Sequence, residues 1–349
     1  MADRPGDGAD GAVAPAPPPT MTTDELRGRL EAYLRGHLGD PGLSLGAIDA
    51  IPEGHSGFTY FVDGEQDGAP IRYVLRLPPP GARIAGPADV LRQGRIMAAL
   101  HDQGLPTPRI IANCEDVAVL DGRPFCLMEA VAGERIETFV GHAAPLDIAR
   151  AAVETLHRLH AVPVAATGIG DEKPVPLTEE MMRWAWLMQR APEELTGAAP
   201  ALGARLADRT PPESPSTLVH GDYHYGNMLF ATGAGGAPEV VAVLDWEIAE
   251  IGAPMLDLGC LCIVAQRNQA PEAPNPGGGI DLDVEAVIDL YGAGAEESRW
   301  YLALSCYKYA SIFGYNLMLH RRGKRPDPMY EQLTGVIVAL IDSGLALLG

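Results

Sequence analysis

Long apolar segments are missing from this chain, although apolar residues make up 47% of its 349 positions. No apolar run reaches the roughly 18 residues that a membrane-spanning helix needs. The N-terminus also lacks the basic segment followed by an apolar one that marks a signal peptide. These absences predict a cytoplasmic globular enzyme with no membrane partner, and the length suits two lobes or domains.

Basic residues are scarce relative to acidic ones. The chain has 26 Lys and Arg against 46 Asp and Glu, which gives a formal net charge of −20. Because nucleic-acid binding relies on clustered Lys and Arg, this balance predicts that nucleic acid is not a partner. The negative charge permits a cationic substrate, but solubility alone also explains it.

Cysteine occurs without a recognisable pattern. The count of five is odd, and no two cysteines have the spacing of a zinc site. We therefore expect reduced structural thiols, in keeping with a cytoplasmic location. The five are Cys114, Cys126, Cys260, Cys262 and Cys306.

The N-terminal third predicts a small α+β lobe after a disordered tail. Residues 1–20 are mostly Ala, Gly, Pro and Asp, which cannot bury enough apolar surface to fold. A capping box, Thr22-x-x-Glu25, then starts an amphipathic helix. Strand-like runs follow at 43–51, 58–62 (closed by Asp63-Gly64), 71–77, 109–113 and 117–128 (broken by Asp121-Gly122), around a helical pattern at 87–103.

The remainder of the chain is helical in pattern. Loop, strand, turn and strand signals interrupt it at 218–247. The helical patterns cover 148–160, 179–190, 255–267, 282–291, 296–322 and 329–348. We predict two lobes, over 21–131 and 132–349.

Two short segments indicate the chemistry. Residues 220–227 read His-Gly-Asp-Tyr-His-Tyr-Gly-Asn, and residues 243–247 read Val-Leu-Asp-Trp-Glu. Kinase-type transfer needs a carboxylate at the attacking hydroxyl, and a carboxamide and a second carboxylate for magnesium. The protein-kinase catalytic loop has the same Asp-to-Asn step of five residues. These segments predict phosphoryl transfer from a nucleoside triphosphate to a hydroxyl.

Together with Pro-Met-Leu-Asp-Leu-Gly at 254–259, these segments resemble the aminoglycoside phosphotransferase family, which shares the protein-kinase fold. Residues 74–81 and 302–322 resemble a branch related to the kinase-like domain of acyl-CoA dehydrogenase fusion proteins. The resemblance covers about 40–345. It implies that the lobe over 21–131 is a small, nucleotide-binding antiparallel-sheet lobe and that the lobe over 132–349 is a large, helical, catalytic and acceptor-binding lobe. It also implies ATP and Mg²⁺ as cofactors and a small-molecule hydroxyl as acceptor. It does not specify which acceptor.

The resemblance assigns roles to six residues around the motif. Asp222 would be the catalytic base, Asn227 and Asp245 would hold magnesium, and His220 and Asp257 would support the loop. His224 would line the cleft or brace the loop. Taken singly, each is also a common turn, cap or strand-end residue.

Nucleotide-binding residues are implied at three places, which are the loop at 53–57, the hinge at Glu129 and Val131, and Arg76. Residues 53–57, with Gly54, Ser56 and Gly57, resemble the loop that covers the phosphates, although a plain hairpin turn is an alternative. Backbone groups at Glu129 and Val131 resemble the hinge that faces adenine, for which an ordinary linker is the alternative.

Two positions depart from the family pattern. Arg76 stands where many relatives place a Lys on the phosphates, and its planar fork of donors still suits a phosphate. Gln93 stands where a Glu usually pairs with that cation. A neutral amide can accept a hydrogen bond from Arg76, but the ion pair would be lost.

The acceptor site is expected beside the C-terminal helices. Candidate lining groups are Glu247, Glu250, Asp257 and the aromatic-rich segment 296–322, although such aromatic stripes are usually core. That segment contains Tyr301, Tyr307, Tyr309, Phe313, Tyr315 and Asn316. The basic run at 321–325 is typical of a solvated helix end, and an anionic part of the substrate is the alternative.

Two other functions are compatible with the pattern. One is a nucleotide-binding pseudokinase with a regulatory or scaffolding role, which Gln93 favours and the complete Asp222, Asn227 and Asp245 set opposes. The other is a protein kinase, which is weaker because Trp-Glu, not Phe-Gly, follows Asp245. The choice between ATP and GTP and the oligomeric state are not specified by the sequence.

Overall fold

A five-stranded antiparallel sheet forms the smaller lobe. The computed structural model describes residues 21–51, 57–265 and 279–349, so the predicted tail lies outside the described residues. The strand order is β1-β2-β3-β5-β4. The strands are β1 Ser44–Ala50, β2 Phe58–Gln66, β3 Ala69–Leu77, β4 Ile110–Cys114 and β5 Phe125–Glu129.

Helix α1, Thr23–Leu38, packs against this sheet. The predicted capping box is present, and Gly39 ends the helix in the left-handed conformation with φ of 67°. Leu26, Leu30 and Leu34 are buried against residues of the sheet. Burial of each leucine contributes roughly 1.5–3 kcal/mol, so this helix is anchored by its apolar face.

The first hairpin turns later than the sequence predicts. Strand β2 continues through Asp63-Gly64 to Gln66, and the turn lies at Asp67-Gly68, whose φ angles are 52° and 76°. Both left-handed residues suit a two-residue hairpin. Gly64 instead sits inside β2 where the Ser44 carbonyl leaves no room for a Cβ.

The long run predicted at 117–128 is also shorter than expected. Only its end belongs to β5, and Leu120 and Arg123 form an isolated bridge around a turn. Asp121 and Gly122 adopt φ angles of 53° and 73°, and this turn separates residues 117–119 from the sheet.

The larger lobe is mainly helical. It starts with β6 Glu134–Arg135, and its other strands are β7 Thr217–Val219, β8 Met228–Thr232, β9 Pro238–Val243 and β10 Glu250–Gly252. Its helices are α3 Ile136–Phe139, α4 Pro145–His160, α5 Leu177–Met188, α6 Glu193–Thr196, α7 Ala199–Asp208, α8 Met255–Ala265, α9 Val284–Tyr291, α10 Ala295–Arg321, α11 Met329–Gln332 and α12 Thr334–Leu348.

Two features of this lobe differ from the predicted pattern. Helices α6 and α7 were not predicted, because small residues dilute the apolar periodicity of this segment. The helix predicted at 329–348 is two helices. The Leu333 amide bonds the Tyr330 carbonyl, a tighter turn that ends α11.

Helix α10 is the centre of the larger lobe and contacts α5, α8 and α12. Gly259 allows α8 to approach it closely, because a Cβ there would lie 2.6 Å from the Tyr301 carbonyl oxygen. Helix α2, Val90–Asp102, belongs to the smaller lobe in sequence but buries its apolar side in the hydrophobic cluster of the larger lobe. No helix among the described residues is long and apolar enough to span a bilayer.

Candidate active site

The loop between β7 and β8, residues 220–227, carries the first motif. Gly221 has φ of 84°, and a Cβ at this position would lie 2.7 Å from the Ile248 carbonyl oxygen. The loop therefore passes directly over the segment that follows Asp245, and glycine is required where the two backbones meet.

Asp257, in the first turn of α8, holds the start of this loop. Its carboxylate oxygens accept hydrogen bonds from the amides of His220 and Gly221, both at 2.8 Å, and the side chain is fully buried. His160 contacts the same carboxylate at 3.2 Å, and Tyr291 contacts the other ring nitrogen of His160. Asp257 thus touches loop backbone and not solvent.

We expect Asp257→Asn to lower the free energy of unfolding by about 3 kcal/mol. The carboxylate accepts from two amides, whereas a carboxamide has one acceptor oxygen and turns a donor NH₂ group toward the second amide. Chemical denaturation measures this change. The matched control is Asp283→Asn, an acid at the start of α9 that makes no side-chain capping bond. Equal stability of the two variants would contradict the bracing role of Asp257.

His220 links the two motif segments. Its Nε2 lies 2.8 Å from the Leu244 carbonyl oxygen, and its Nδ1 accepts from the Asp222 amide at 3.2 Å. Burial lowers the pKa of His220, so the neutral ring donates at Nε2 and accepts at Nδ1. The ring also packs against Trp246 at 4.6 Å between centroids.

Asp222 and Asn227 are in direct contact. The Asn227 amide nitrogen lies 3.0 Å from the Asp222 carbonyl oxygen and 3.3 Å from its Oδ2, while His224 Nε2 lies 3.4 Å from Oδ2. Burial alone would raise the pKa of Asp222, but His224, Lys308 and Tyr309 outweigh it and hold that pKa well below its usual range. Asp222 is therefore an ionised carboxylate and a weak base at neutral pH.

Asp245 is brought next to this loop by backbone pairing. The Leu244 amide donates to the Asn227 carbonyl oxygen at 2.8 Å. Asp245 itself has φ of 63°, a conformation that costs a non-glycine residue about 1–2 kcal/mol. Its side chain is 40% exposed, and its Oδ1 lies 3.5 Å from Arg76. The structure therefore places Asp222 and Asn227 in contact and brings Asp245 next to their loop through the backbone bond of Leu244.

Arg76 and Gln93 do not meet, so no hydrogen bond links them. Gln93 is 1% exposed and donates from its amide nitrogen to the Pro87 carbonyl, because it lies on the core side of α2. Arg76 faces the larger lobe, where Asp245 lies at 3.5 Å and Glu247 at 3.9 Å.

Arg92 provides the observed link between α2 and the larger lobe. It forms a two-pronged ion pair with Glu172, both contacts at 2.7 Å, and also donates to the Ala249 carbonyl at 2.8 Å. This residue was not singled out from the sequence, because nothing in its neighbourhood distinguishes it from a surface arginine.

We expect Arg92→Lys to lower the free energy of unfolding by roughly 1 kcal/mol, because an ammonium cannot reproduce the fork and the exposure of Glu172 limits the gain. Thermal unfolding measures this. Arg72→Lys, in an exposed pair with Asp63, serves as the control and should change stability by less. Equal effects would mean that the Arg92 contacts contribute nothing beyond surface charge.

The predicted nucleotide-contacting residues fall into two groups. Gly54 and Ser56 lie outside the described residues. Gly57 is described, and it allows the backbone to approach β3 closely, because a Cβ there would lie 2.7 Å from the Leu77 carbonyl oxygen. At the end of β5, the Glu129 amide already donates to the Arg109 carbonyl, and its carboxylate pairs with the Arg109 side chain. Val131 follows two residues later and is half-buried.

The acidic residues Glu250 and Glu180 are paired with one arginine. Arg183 lies 2.7 Å from Glu250 and 2.9 Å from Glu180, and the Trp184 indole donates to Glu180 at 2.6 Å. Burial and Glu180 raise the pKa of Glu250 to about 7 against the opposing effect of Arg183. Glu180 and Arg183 were missed from the sequence, since their spacing on α5 looks like an ordinary helix pair.

The aromatic residues of α10 divide between core and site. Tyr301 and Tyr307 are buried in the core, whereas the Tyr309 hydroxyl donates to Asp222 Oδ1 at 2.7 Å and its ring stacks on Phe313. Tyr315 instead contacts Trp186.

The basic residues at the end of α10 pair within the chain. Arg321 pairs with Glu194 and Glu331, and Arg325 bonds Asn316.

Three comparisons extend these observations. The sequence profile of the phosphotransferase enzyme family matches residues 47–295. Human acyl-CoA dehydrogenase family member 11 is 31% identical over 345 residues, covering 91% of this chain and 42% of that protein. Mouse acyl-CoA dehydrogenase family member 10 is 30% identical over 247 residues, covering 67% and 22%. The chain thus spans less than half of these curated relatives.

Solved structures show the same fold at low identity. A putative aminoglycoside phosphotransferase from Ralstonia eutropha has a TM-score of 0.72 and 24% identity, with 92% of this chain and 97% of that one covered. A spectinomycin phosphotransferase, solved with ADP and spectinomycin, has a TM-score of 0.60 and 11% identity, with coverage of 92% and 98%. The family resemblance and the two-lobed, protein-kinase-like fold predicted from the sequence are confirmed, and the chain belongs to the phosphotransferase enzyme family.

Proposed function

We propose that this protein transfers the γ-phosphoryl group of ATP to a hydroxyl of a small molecule. The observation that carries the proposal is the contact between Asp222 and Asn227, on a loop whose Asn227 carbonyl accepts from Leu244, the residue before Asp245. In this proposal, residues 21–131 cover the nucleotide and residues 132–349 supply the base, the metal ligands and the acceptor pocket. The five cysteines are buried free thiols, which suits a cytoplasmic reaction.

Asp222 would orient the acceptor hydroxyl and would accept its proton only after the bond to phosphorus has largely formed. Its pKa is held well below the usual range, so it is a weak base for an unactivated alcohol. Phosphoryl transfer passes through a loose transition state in most analyses, which needs little early deprotonation of the attacking oxygen. Positioning of the hydroxyl would then contribute more of the rate enhancement than proton removal.

Asn227 and Asp245 suit magnesium by donor type. Magnesium prefers oxygen ligands and takes few from protein. The Asn227 nitrogen is directed to Asp222, which leaves its carboxamide oxygen for another partner, and the Asp245 carboxylate is 40% exposed. When bound, the metal would neutralise charge on the phosphates.

Nucleotide binding is supported by solved neighbours that contain ADP or GDP. Arg76 faces Asp245 from the smaller lobe and would contact the phosphates as a permanent cation. One of these neighbours contains an adenine nucleotide and the other a guanine nucleotide, so the phosphoryl donor has to be determined by experiment. Competition between ATP and GTP for phosphoryl transfer decides between them, and we expect ATP to be the better donor.

The acceptor need not be a polycation. Among the described residues, the carboxylates around the catalytic loop already have partners within the chain. Arg183 pairs with Glu250 and Glu180. A polycationic acceptor would have to displace this arginine, so we infer that an uncharged or anionic hydroxyl compound is the better acceptor.

Acceptor-stimulated ADP release tests the proposal. The panel contains polycationic aminoglycosides, macrolides and anionic hydroxyacyl thioesters, each with wild type and Asp222→Ala. We expect release that requires magnesium and Asp222 with a member that is not a polycation. Stimulation by aminoglycosides alone would contradict the inferred acceptor class. Nucleotide binding without turnover across the panel would favour the alternative function, a regulatory pseudokinase.

A further inference from the structure

Two consecutive residues of α10 reach two consecutive residues of the catalytic loop. The Lys308 ammonium donates to the Gly221 carbonyl oxygen, and the Tyr309 hydroxyl donates to Oδ1 of Asp222 at 2.7 Å. The two residues are 4% and 6% exposed. Because both lie on one long helix, the placement of α10 determines the placement of the loop carboxylate.

We propose that Tyr309 is a positioning residue for phosphoryl transfer, whose hydroxyl fixes the orientation of the Asp222 carboxylate toward the acceptor. This inference rests on the proposed function, because it assigns Tyr309 a part in that reaction. Tyr309 does not touch the transferred group in this proposal. It acts through Asp222.

The contacts of the carboxylate support this role. Tyr309 makes the shortest contact to Asp222, at 2.7 Å, whereas Asn227 and His224 lie at 3.3 and 3.4 Å from the other oxygen. Rotation of the carboxylate would therefore lose its strongest bond. An ionised carboxylate has about four lone-pair sites, so Tyr309 leaves capacity for the acceptor hydroxyl.

Charge and proton accounting agree with a donor role for Tyr309. Burial and the neighbouring Asp222 raise the pKa of Tyr309 well above its ordinary value, so the phenol keeps its proton. Burial alone would lower the pKa of Lys308, but Cys260, Asp222 and Glu180 together raise it, so the ammonium stays charged. As the new bond to phosphorus forms and the bond to the leaving ADP breaks, the acceptor proton goes to Asp222 and Tyr309 keeps its own.

A packing role for Tyr309 makes a different prediction. Its ring stacks on Phe313 at 6.1 Å between centroids, and the Lys308 ammonium lies 5.5 Å from the ring centre. Phenylalanine would retain both contacts and lose only the hydroxyl. Tyr309→Phe therefore separates positioning of Asp222 from packing.

We expect Tyr309→Phe to lower kcat about 10- to 100-fold, because a hydrogen bond to a charged group is lost. The KM for nucleotide should change less than about twofold, because Arg76, and not Tyr309, faces the phosphates in the proposed function. Tyr307→Phe is the matched control. Tyr307 is a buried tyrosine of the same helix that packs beside Gly203, away from the loop.

A second measurement does not depend on turnover. Carbon NMR of protein labelled at the aspartate carboxyl carbon, recorded at one neutral pH, reports the environment of the Asp222 carboxylate, and Asp222→Asn assigns its resonance. The Asp222 resonance should shift in Tyr309→Phe, which loses the 2.7 Å hydrogen bond, and stay unchanged in Tyr307→Phe. Absence of Asp222-dependent turnover in wild type would contradict the proposed function, and the resonance would then test the contact alone. An Asp222 resonance that does not move in Tyr309→Phe, or a kcat equal to wild type, overturns the inference.

Discussion

Replacement of Asp222 by Ala should lower acceptor-dependent turnover about 100- to 10,000-fold, the range that a positioned acid–base group contributes. The carboxylate is the group we assign to the acceptor hydroxyl, and its oxygens contact Tyr309 of α10 and Asn227 and His224 of the loop. Initial rates of ADP release at saturating nucleotide measure the effect.

Nucleotide affinity separates this effect from a damaged fold. Asp222→Ala should bind ATP with a Kd within about threefold of wild type, because Asp222 faces the acceptor in our account and Arg76 faces the phosphates. Asp24→Asn, an exposed acid of α1, serves as the control and should retain full turnover. Full turnover in Asp222→Ala would contradict the assignment of Asp222 as the catalytic base.

Asp245 should combine a functional requirement with a stability cost. Both Asp245→Ala and Asp245→Gly should lower turnover at least about a hundredfold, because a magnesium ligand is lost. Their stabilities should differ. At φ of 63°, glycine is favoured over alanine, so Asp245→Gly should be more stable than Asp245→Ala by about 1 kcal/mol.

Asp67 supplies the matched control for this prediction. It has φ of 52° in the turn between β2 and β3. Asp67→Gly should likewise be more stable than Asp67→Ala, but both variants should keep wild-type turnover. Denaturant unfolding and ADP release on the four variants give the result. Undiminished turnover in either Asp245 variant would refute its assignment as a metal ligand.

The parts of the structure that the sequence predicts well depend on local patterns. The capping box at Thr22 starts α1, and the Asp-to-Asn step of five residues places Asp222 and Asn227 on one short loop, where the structure brings them into contact. The second apolar run ends at Asp245, and strand pairing then brings it to the loop. Interactions between residues close in sequence determine these features, so they can be predicted from the sequence.

The hairpin shows where local patterns become ambiguous. Asp63-Gly64 and Asp67-Gly68 are both good turn sequences. The pairing of Phe58 with Leu77 and the residues that follow decides between them, and it places Gly64 opposite Ile71 inside the strand pair. Such a choice depends on the register between strands, which no single strand contains.

Apart from the contact of Asp257 with the loop, which the family resemblance implied, contacts between distant elements were not predicted. Lys308 and Tyr309 read as two residues of an aromatic helix, and only the packing of α10 against the loop directs them at Gly221 and Asp222. Gln93 illustrates the reverse case. Its position suggested a partner for Arg76, but the rotation of α2 turns it to the core and leaves Arg92 to contact the larger lobe.

Metal binding with a non-hydrolysable ATP analogue tests the central claim most directly, since it needs no knowledge of the acceptor. Electron paramagnetic resonance of Mn²⁺, used in place of magnesium, reports whether the ion is held by the protein–nucleotide complex. We predict a protein-bound Mn²⁺ signal in wild type and in Asp24→Asn, and its loss in Asn227→Ala and Asp245→Ala. An unchanged signal in both of the latter variants would contradict the account.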